Sequence, residues 1–448
     1  MANDFNDLSA KVLAAAKSAG ADAADVLLVD GTTVSIEVRA GALEHAERSE
    51  GVDIGLRVFK GKKQASVSVS DLSDHTIEQM ALRAVAMADV APDDPYCGLA
   101  DPDQLVRSWD VEALELYDPS DPMSADELQE AALAAEAAAL AVNGVSQAQG
   151  ASAGYSSSRV HMAATNGFSG GYRRTSTSTS CVAISGTGLN MERDWCGESR
   201  SHADELPSPE SIGQLAGERA VARGGATRPP TGAYPVLFDE RISSTLIGHM
   251  AAAINGSSIV RGSSWLSDAL GKQVLPRGMT LIEDPTRKRV AGSRPFDGEG
   301  LPVAPREIIL DGVLQGWTLD LSTARQLGMQ STGNAARGIG GPPSPTTGNL
   351  ALTMGEYSHA ELVAQMGTGL IVTSMIGSTI SPTTGDYSRG AAGLWVENGE
   401  IIGPVNECTI AGNLRDMLKT LVAGNDARMH LSRNIPSLLV EGLTIAGA

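Results

Sequence analysis

Residues 25–73 carry short apolar runs separated by glycine-containing turns, and this pattern constrains the fold more than any other feature of the chain. The segment reads DVLLVDGTTVSIEVRAGALEHAERSEGVDIGLRVFKGKKQASVSVSDLS. Alternating runs of this kind are typical of strands, and short turns between them join antiparallel neighbours. The segment therefore predicts an antiparallel meander. Helices are predicted on both sides of it, over about 7–18 and 75–90, the second capped by Ser73 or Asp74.

The same order of elements returns loosely further along the chain. A linker rich in proline and aspartate precedes Ser124, which is predicted to open an alanine-rich helix that ends near residue 142. Strands are predicted across 145–188, where alternating serine and threonine suggest a sheet with one solvated face, and a helix follows. We therefore predict an α+β region over 1–225, built on antiparallel sheet, with two possible sub-units at about 1–100 and 120–225.

A second domain is predicted to begin near Pro229 and Pro230, because a chain of 448 residues is too long for one ordinary core. An apolar strand at 234–238 follows the proline pair. Short strands and loops rich in glycine and proline come after it, and Ser358 with Glu361 forms a capping-box pattern before a short helix. Residues 226–448 are therefore predicted to form a β-rich, barrel-like domain, which makes the whole chain α+β.

Charge and composition restrict the classes of function. The formal net charge of −19 repels phosphate backbones, so direct nucleic-acid binding is not expected, and the basic segment at 285–294 is interpreted as a solvated loop. No window approaches the ~18 apolar residues that span a bilayer, and no secretory leader pattern is present, so we expect a cytoplasmic protein without membrane contact. The four widely spaced cysteines are expected to be reduced thiols.

Histidine 249 is the residue whose surroundings raise the question of catalysis. A helix over STLIGHMAAAING, residues 244–256, places Leu246, Met250 and Ile254 on one face, with His249 at the edge of that face. Metal binding by a helix requires a second donor about one turn away, and none is present. The residues alone therefore favour a core histidine with satisfied hydrogen bonds over a metal ligand. The glycine-rich GIGGPP lacks the features of a phosphate-binding loop.

Several segments together resemble the TldD/PmbA family, also called modulator of DNA gyrase. They are YPVLFDERI at 234–242, GDYSRGAAGLWVENGEI at 385–401, NIPSLLVEGLTIAG at 434–447 and GVDIGLRVFKGKKQASVSVSDLS at 51–73. The resemblance covers essentially the full length and is greatest to the PmbA branch, also called TldE. It implies a cytosolic, zinc-dependent proteolytic assembly of two related subunits, with family members linked to maturation of a peptide microcin and degradation of an antitoxin.

The resemblance also implies which subunit this chain is. The TldD-type subunit carries a His-Glu-x-x-x-His helix and a cysteine near the C-terminus, whereas HMAAAI at 249–254 retains only His249, with Met250 in place of the general base and Ile254 in place of the second ligand. The stretch after GND contains His430 but no cysteine, and Cys408 is interpreted as a packed thiol. We therefore predict no catalytic residue, no metal ligand and no cofactor in this chain, with the zinc expected in the partner.

The resulting hypothesis is a subunit without its own metal site that acts on peptides beside a TldD-type, metal-bearing relative and forms a homodimer when produced alone. Its sequence does not show which residues bind the peptide substrate. Two alternatives stay open at this point. One is a self-sufficient metal-dependent hydrolase that gathers His249, His359 and His430 into one site. The other is a modulator of a toxin or of DNA gyrase that acts without proteolysis.

Overall fold

The computed structural model of the chain describes residues 4–448, apart from the side chain of Ser378. Its first half contains four helices and six strands, with three short 3-10 turns at Glu112–Leu114, Gly188–Asn190 and Ala203–Glu205. In chain order the elements are α1 Phe5–Ser18, β1 Ala23–Arg39, β2 Ala42–Lys60, β3 Lys63–Val69, α2 Asp74–Val90, α3 Ala125–Ala141, β4 Val145–Ala164, β5 Ser169–Ser185, β6 Glu192–Arg200 and α4 Pro209–Ala222.

These six strands form one antiparallel sheet in the order β3-β2-β1-β4-β5-β6. The two predicted sub-units are joined within it, because β1 pairs with β4 from Asp25 opposite Ala164 to Val38 opposite Ala151. Helices α1 and α2 bury one part of the sheet, and α3 and α4 bury another. The meander predicted from residues 25–73 is present as β1, β2 and β3, and the loose internal repeat extends the same sheet.

Side-chain caps fix the starts of these helices as the sequence predicts. The Ser73 hydroxyl accepts a hydrogen bond from the Thr76 backbone N–H and opens α2. Ser124 and Glu127 form a reciprocal capping box that opens α3. Such caps satisfy backbone donors that have no partner inside the helix, which is why serine at these positions marks the helix start.

The second half contains five helices and thirteen strands. They are β7 Gly232–Phe238, α5 Glu240–Ala253, α6 Gly256–Val260, β8 Leu281–Glu283, β9 Arg306–Leu310, β10 Val313–Leu314, α7 Leu321–Leu327, β11 Ala335–Ala336, β12 Ser344–Pro345, β13 Leu350–Leu352, α8 His359–Met366, β14 Gly369–Ile380, β15 Asp386–Glu397, β16 Glu400–Asn413, α9 Leu414–Lys419, β17 Val422–Ala423, β18 Arg433–Asn434 and β19 Leu438–Ala446.

Five of these strands close into a barrel, which confirms the predicted α+β fold with a barrel-like second half. Neighbours pair in the order β16-β15-β14-β7-β19, and β19 pairs back to β16 through Thr444 opposite Ala411. A second, mixed sheet has the order β10-β9-β8-β13-β18. The largest buried cluster of apolar side chains lies between these sheets and α5. Strand β14 is buried only at its start, since Ile376 is 75% exposed.

The chain leaves the first sheet at Arg200 and enters the barrel at Gly232, so no single sheet runs through the proline pair. Between them, Thr227 forms a parallel bridge with Val405, and the Pro229 carbonyl accepts a hydrogen bond from the Ala448 N–H. The proline pair is thus tied to the barrel side. The domain bounds of 1–225 and 226–448 stay a prediction.

Loops from the second half pack against the first half through paired charges. The segment 285–294 is not the solvated loop that we predicted, because Arg289 binds Glu115 and Glu205 and Lys288 binds Glu115. Arg325 donates hydrogen bonds to three carbonyls of the linker, those of Tyr96, Gly98 and Leu99. The lysine and arginine side chains of these loops bind groups of the first half, and the sequence alone could not reveal these partners. Within residues 4–448 no helix is long and apolar enough to cross a membrane.

Candidate functional site

Helix α5 positions the residues at which the family resemblance places a metal site. It begins where the Asp239 carboxylate accepts a hydrogen bond from the Arg241 N–H at 3.1 Å, and it ends at Ile254, beyond which Asn255 caps α6. The spacing of Leu246, Met250 and Ile254 gives one apolar face, as predicted. All three side chains are completely buried in the large apolar cluster.

His249 lies at the edge of that face and is half-buried. Its ring stands edge-on to the ring of Tyr387 on β15, with 6.0 Å between the ring centres. Its Nε2 atom is buried and has no hydrogen-bond partner among the described residues. Burial, with smaller contributions from Arg389 and Arg433, lowers the pKa of the His249 imidazole and favours its neutral form. The sequence interpretation of a core histidine with satisfied hydrogen bonds is therefore wrong.

The residues on α5 do not fit a zinc ion. Catalytic zinc sites use three protein ligands, drawn from imidazole, thiolate and carboxylate groups, and leave one position for water. Here Met250 and Ile254 are buried in an apolar core and only His249 offers a nitrogen. Across residues 4–448, no group of three or more His, Cys, Asp or Glu side chains is placed to hold a metal ion.

The other candidate donors are placed beside different partners. His359 on α8 lies 3.7 Å from the Asp239 carboxylate, and His430 lies 3.3 Å from the Glu198 carboxylate. Neither histidine contributes with His249 to a shared set of three ligands in the described chain. The alternative of a site gathered from His249, His359 and His430 therefore has no geometric support.

Cys408 is a packed thiol, as predicted. It lies on β16 with a 4% exposed side chain, and its Sγ donates to the Ala391 carbonyl at 3.3 Å. Burial raises the pKa of the Cys408 thiol, which keeps it protonated and a poor nucleophile or metal ligand. All four cysteines are buried and free, in agreement with the expectation of reduced thiols.

Sequence reasoning missed the residues that surround His249. Tyr387 and Arg389 lie two apart on β15, and Arg433 comes from β18, far away in the chain. One signal was available, because all three residues stand in or next to the segments that carry the family resemblance. Nothing in the sequence, however, says that β15 and β18 approach the same side of α5.

Comparison with known proteins gives matches along most of the chain. Three family models match in order, described as PmbA/TldA metallopeptidase domain 1 at residues 24–88, central domain at 118–223 and C-terminal domain at 231–447. The Metalloprotease PmbA of Escherichia coli O157:H7 is 36% identical over 437 residues, covering 97% of this chain and 94% of that protein.

A solved structure and a second type of relative extend the comparison. The crystal structure of a protein from Bacteroides thetaiotaomicron, proposed there as a modulator of DNA gyrase, has a TM-score of 0.92 and 28% sequence identity, and the match covers 100% of both chains. The Metalloprotease TldD homolog of Buchnera aphidicola is 27% identical over 238 residues, covering 48% of this chain and 49% of that protein. The chain is thus similar at full length to proteins of the PmbA type and over about half its length to one of the TldD type.

Proposed function

Because this chain belongs to the PmbA/TldD family of metallopeptidases, we propose that it is the PmbA/TldE-type subunit of a cytosolic peptidase complex whose zinc is held by a TldD-type relative. One observation carries the proposal. Helix α5 packs into the core, yet two of the three positions at which the family resemblance places metal-site groups are Met250 and Ile254, which lie completely buried there. A chain with this helix retains the scaffold of a metallopeptidase without its ligands.

The proposed role of the subunit is to shape the chamber that admits an unfolded peptide. Related subunits can pair quasi-symmetrically because matching folds present matching patches, and permanent interfaces of this kind commonly bury more than about 2,000 Å². We propose that the barrel domain forms this interface and that the chain forms a homodimer when produced alone. Extended peptide would bind by adding a strand to an open sheet edge, a mode that recognises backbone rather than side chains.

We predict that the purified chain retains far less than one zinc ion per molecule and that His249→Ala leaves this content unchanged. The reason is that a single imidazole supplies too little coordination, and Met250 cannot accept a proton from water. Elemental analysis after gel filtration measures the content, with the TldD-type relative as the positive control. A stoichiometric zinc ion that is lost in His249→Ala would instead establish a metal site in this chain.

A further inference from the structure

Two arginines approach α5 beside His249 without a carboxylate of their own. A Cβ atom added at Gly248 would lie 2.8 Å from Nη1 of Arg433, so the Arg433 guanidinium packs against α5 at the residue before His249. Arg433 is exposed and forms no ion pair with any residue of the described chain. Its position therefore depends on the small surface that Gly248 provides.

Arg389 on β15 is the second cation near His249. Side chains two apart on a strand share a face, so Arg389 points to the same side as Tyr387, whose ring contacts His249. The Nε of Arg389 donates to the Gly377 carbonyl at 2.8 Å, which holds the side chain, and no carboxylate within residues 4–448 pairs with it. Tyr387 supplies no negative charge, because burial raises the pKa of its phenol to about 12.

This arrangement is unusual for so acidic a chain. The sequence contains 53 aspartates and glutamates against 34 lysines and arginines, and carboxylates close to other arginines are common in the structure. Around His249, by contrast, the charged groups that act on the imidazole are the two guanidinium groups of Arg389 and Arg433, and its buried Nε2 atom has no partner among the described residues. Buried polar atoms are normally hydrogen-bonded, so an unpaired Nε2 beside two cations points to an anion that is absent from the free chain.

We propose that His249, Arg389 and Arg433 form a binding site for a carboxylate group of a peptide. A planar carboxylate matches the guanidinium geometry, since its two oxygens can accept paired N–H donors, and a third donor is available from the imidazole. A metal cation is disfavoured because both guanidinium groups repel it. Nucleic acid is disfavoured by the net charge of −19, which outweighs two arginines over the length of a polyanion.

The carboxylate has two possible sources in a peptide, its C-terminus or an aspartate or glutamate side chain. The His249 site depends only on geometry at α5 and not on the existence of a zinc-bearing partner. Its test is therefore separate from the zinc measurement proposed above. The carboxylate site can be refuted while the proposed function stands, and the proposed function can be refuted while the carboxylate site stands. The binding experiment uses the full-length chain by itself.

Binding can be measured by fluorescence anisotropy with short, unstructured glycine–serine peptides labelled at the N-terminus. One pair differs in a free or amidated C-terminus. A second pair, amidated throughout, differs in an internal glutamate or glutamine. At least one carboxylate peptide is expected to bind about tenfold more tightly than its neutral counterpart, which is the scale of a charge-assisted hydrogen-bonded pair at a partly exposed site. The pair that shows the preference identifies the source.

Variants distinguish binding at this site from attraction by the overall electrostatic field of the protein. Arg433→Gln and Arg389→Gln should each remove most of the preference, and Gly248→Ala should reduce it by displacing Arg433 without changing any charge. Arg83→Gln is the matched control, because Arg83 is exposed on α2 and far along the chain from these residues. Equal binding of charged and neutral peptides, absence of binding by every peptide, or an equal loss in Arg83→Gln would overturn the proposal.

Discussion

Asp25→Ala is expected to lower the free energy of unfolding by about 3–5 kcal/mol, because removing one partner of a buried ion pair leaves uncompensated charge in the interior. Asp25 on β1 binds Arg57 on β2 and also Arg337, which directly follows β11. The three side chains are between 1% and 6% exposed. Substitution would thus leave two buried guanidinium groups without the carboxylate that binds both of them.

The same contact joins the two halves of the molecule. Arg337 also donates to the Gly55 carbonyl at 3.2 Å, and a Cβ atom at Gly55 would lie 2.2 Å from the Ile339 carbonyl oxygen, so the loop lies flat against β2. Burial by itself raises the pKa of Asp25, but Arg57 and Arg337 together hold it below its ordinary value. The carboxylate therefore stays charged at neutral pH.

Urea unfolding at neutral pH measures the effect, with Asp30→Ala on the same strand as the control, since Asp30 is exposed. Arg337→Met is a second variant that leaves Asp25 paired with Arg57, and it should cost less than Asp25→Ala. If Asp25→Ala and Asp30→Ala have equal stability, the buried network does not stabilise the fold as we infer.

The second large effect is expected at Glu299, whose replacement by glutamine should stabilise the protein at alkaline pH. Glu299 borders a cavity of about 160 Å³ between the two halves, next to Arg57 and Asp320. Burial, and then the nearby Asp297 carboxylate, raises the pKa of Glu299 to about 8. One of its oxygens accepts a hydrogen bond from the Leu321 N–H at 2.9 Å.

The direction follows from proton linkage. The folded chain holds the Glu299 proton to higher pH than the unfolded chain, whose glutamate has a pKa near the ordinary value of 4.5. The contribution of Glu299 to the free energy of unfolding is therefore greatest at low pH and decreases as the pH rises from about 4.5 toward about 8. Glu299→Gln carries no such charge, so its stability advantage over the unsubstituted protein is already present at pH 6.5, where the unfolded glutamate is ionised, and should grow by roughly 2 kcal/mol between pH 6.5 and pH 8.5.

Urea unfolding at about pH 6.5 and 8.5 tests this prediction. The pKa of Asp297 is raised to about 6, so most of the Asp297 carboxyl groups are already ionised at both pH values. Glu78→Gln serves as the control, because Glu78 is exposed on α2. Parallel pH dependences for Glu299→Gln and the unsubstituted protein would show that Glu299 is already ionised in the folded state.

Local features of the fold could be predicted because they depend on residues close in sequence. Ser124 with Glu127 and Ser358 with Glu361 form capping boxes, and both open helices in the structure. The spacing of apolar residues likewise predicted the positions of strands β1 to β3 and of helix α5. The closure of the barrel could not be predicted, because it depends on β19 meeting β16, and neither strand carries a signal for the identity of its neighbour.

At the candidate site, too, the local features could be predicted from the sequence and the tertiary contacts could not. The sequence and its resemblance indicated that α5 carries His249 in place of a complete metal helix. They did not reveal that Met250 and Ile254 are fully buried, nor that the charges of Arg389 and Arg433, on two other strands, lie near His249. The ion network of Asp25, Arg57 and Arg337 joins residues that are up to 312 positions apart. Side-chain clusters of this kind arise from the tertiary fold.

We propose that this chain supports peptide cleavage without holding the metal. The most direct test measures hydrolysis of an unfolded peptide by the chain alone, by the TldD-type relative alone, and by an equimolar mixture of the two. We predict efficient cleavage only by the mixture, with a mixed dimer in sedimentation and loss of activity when the relative's metal-helix glutamate is replaced by glutamine. Equal cleavage by this chain alone, or a mixture that cleaves no faster than the relative alone, would contradict the claim.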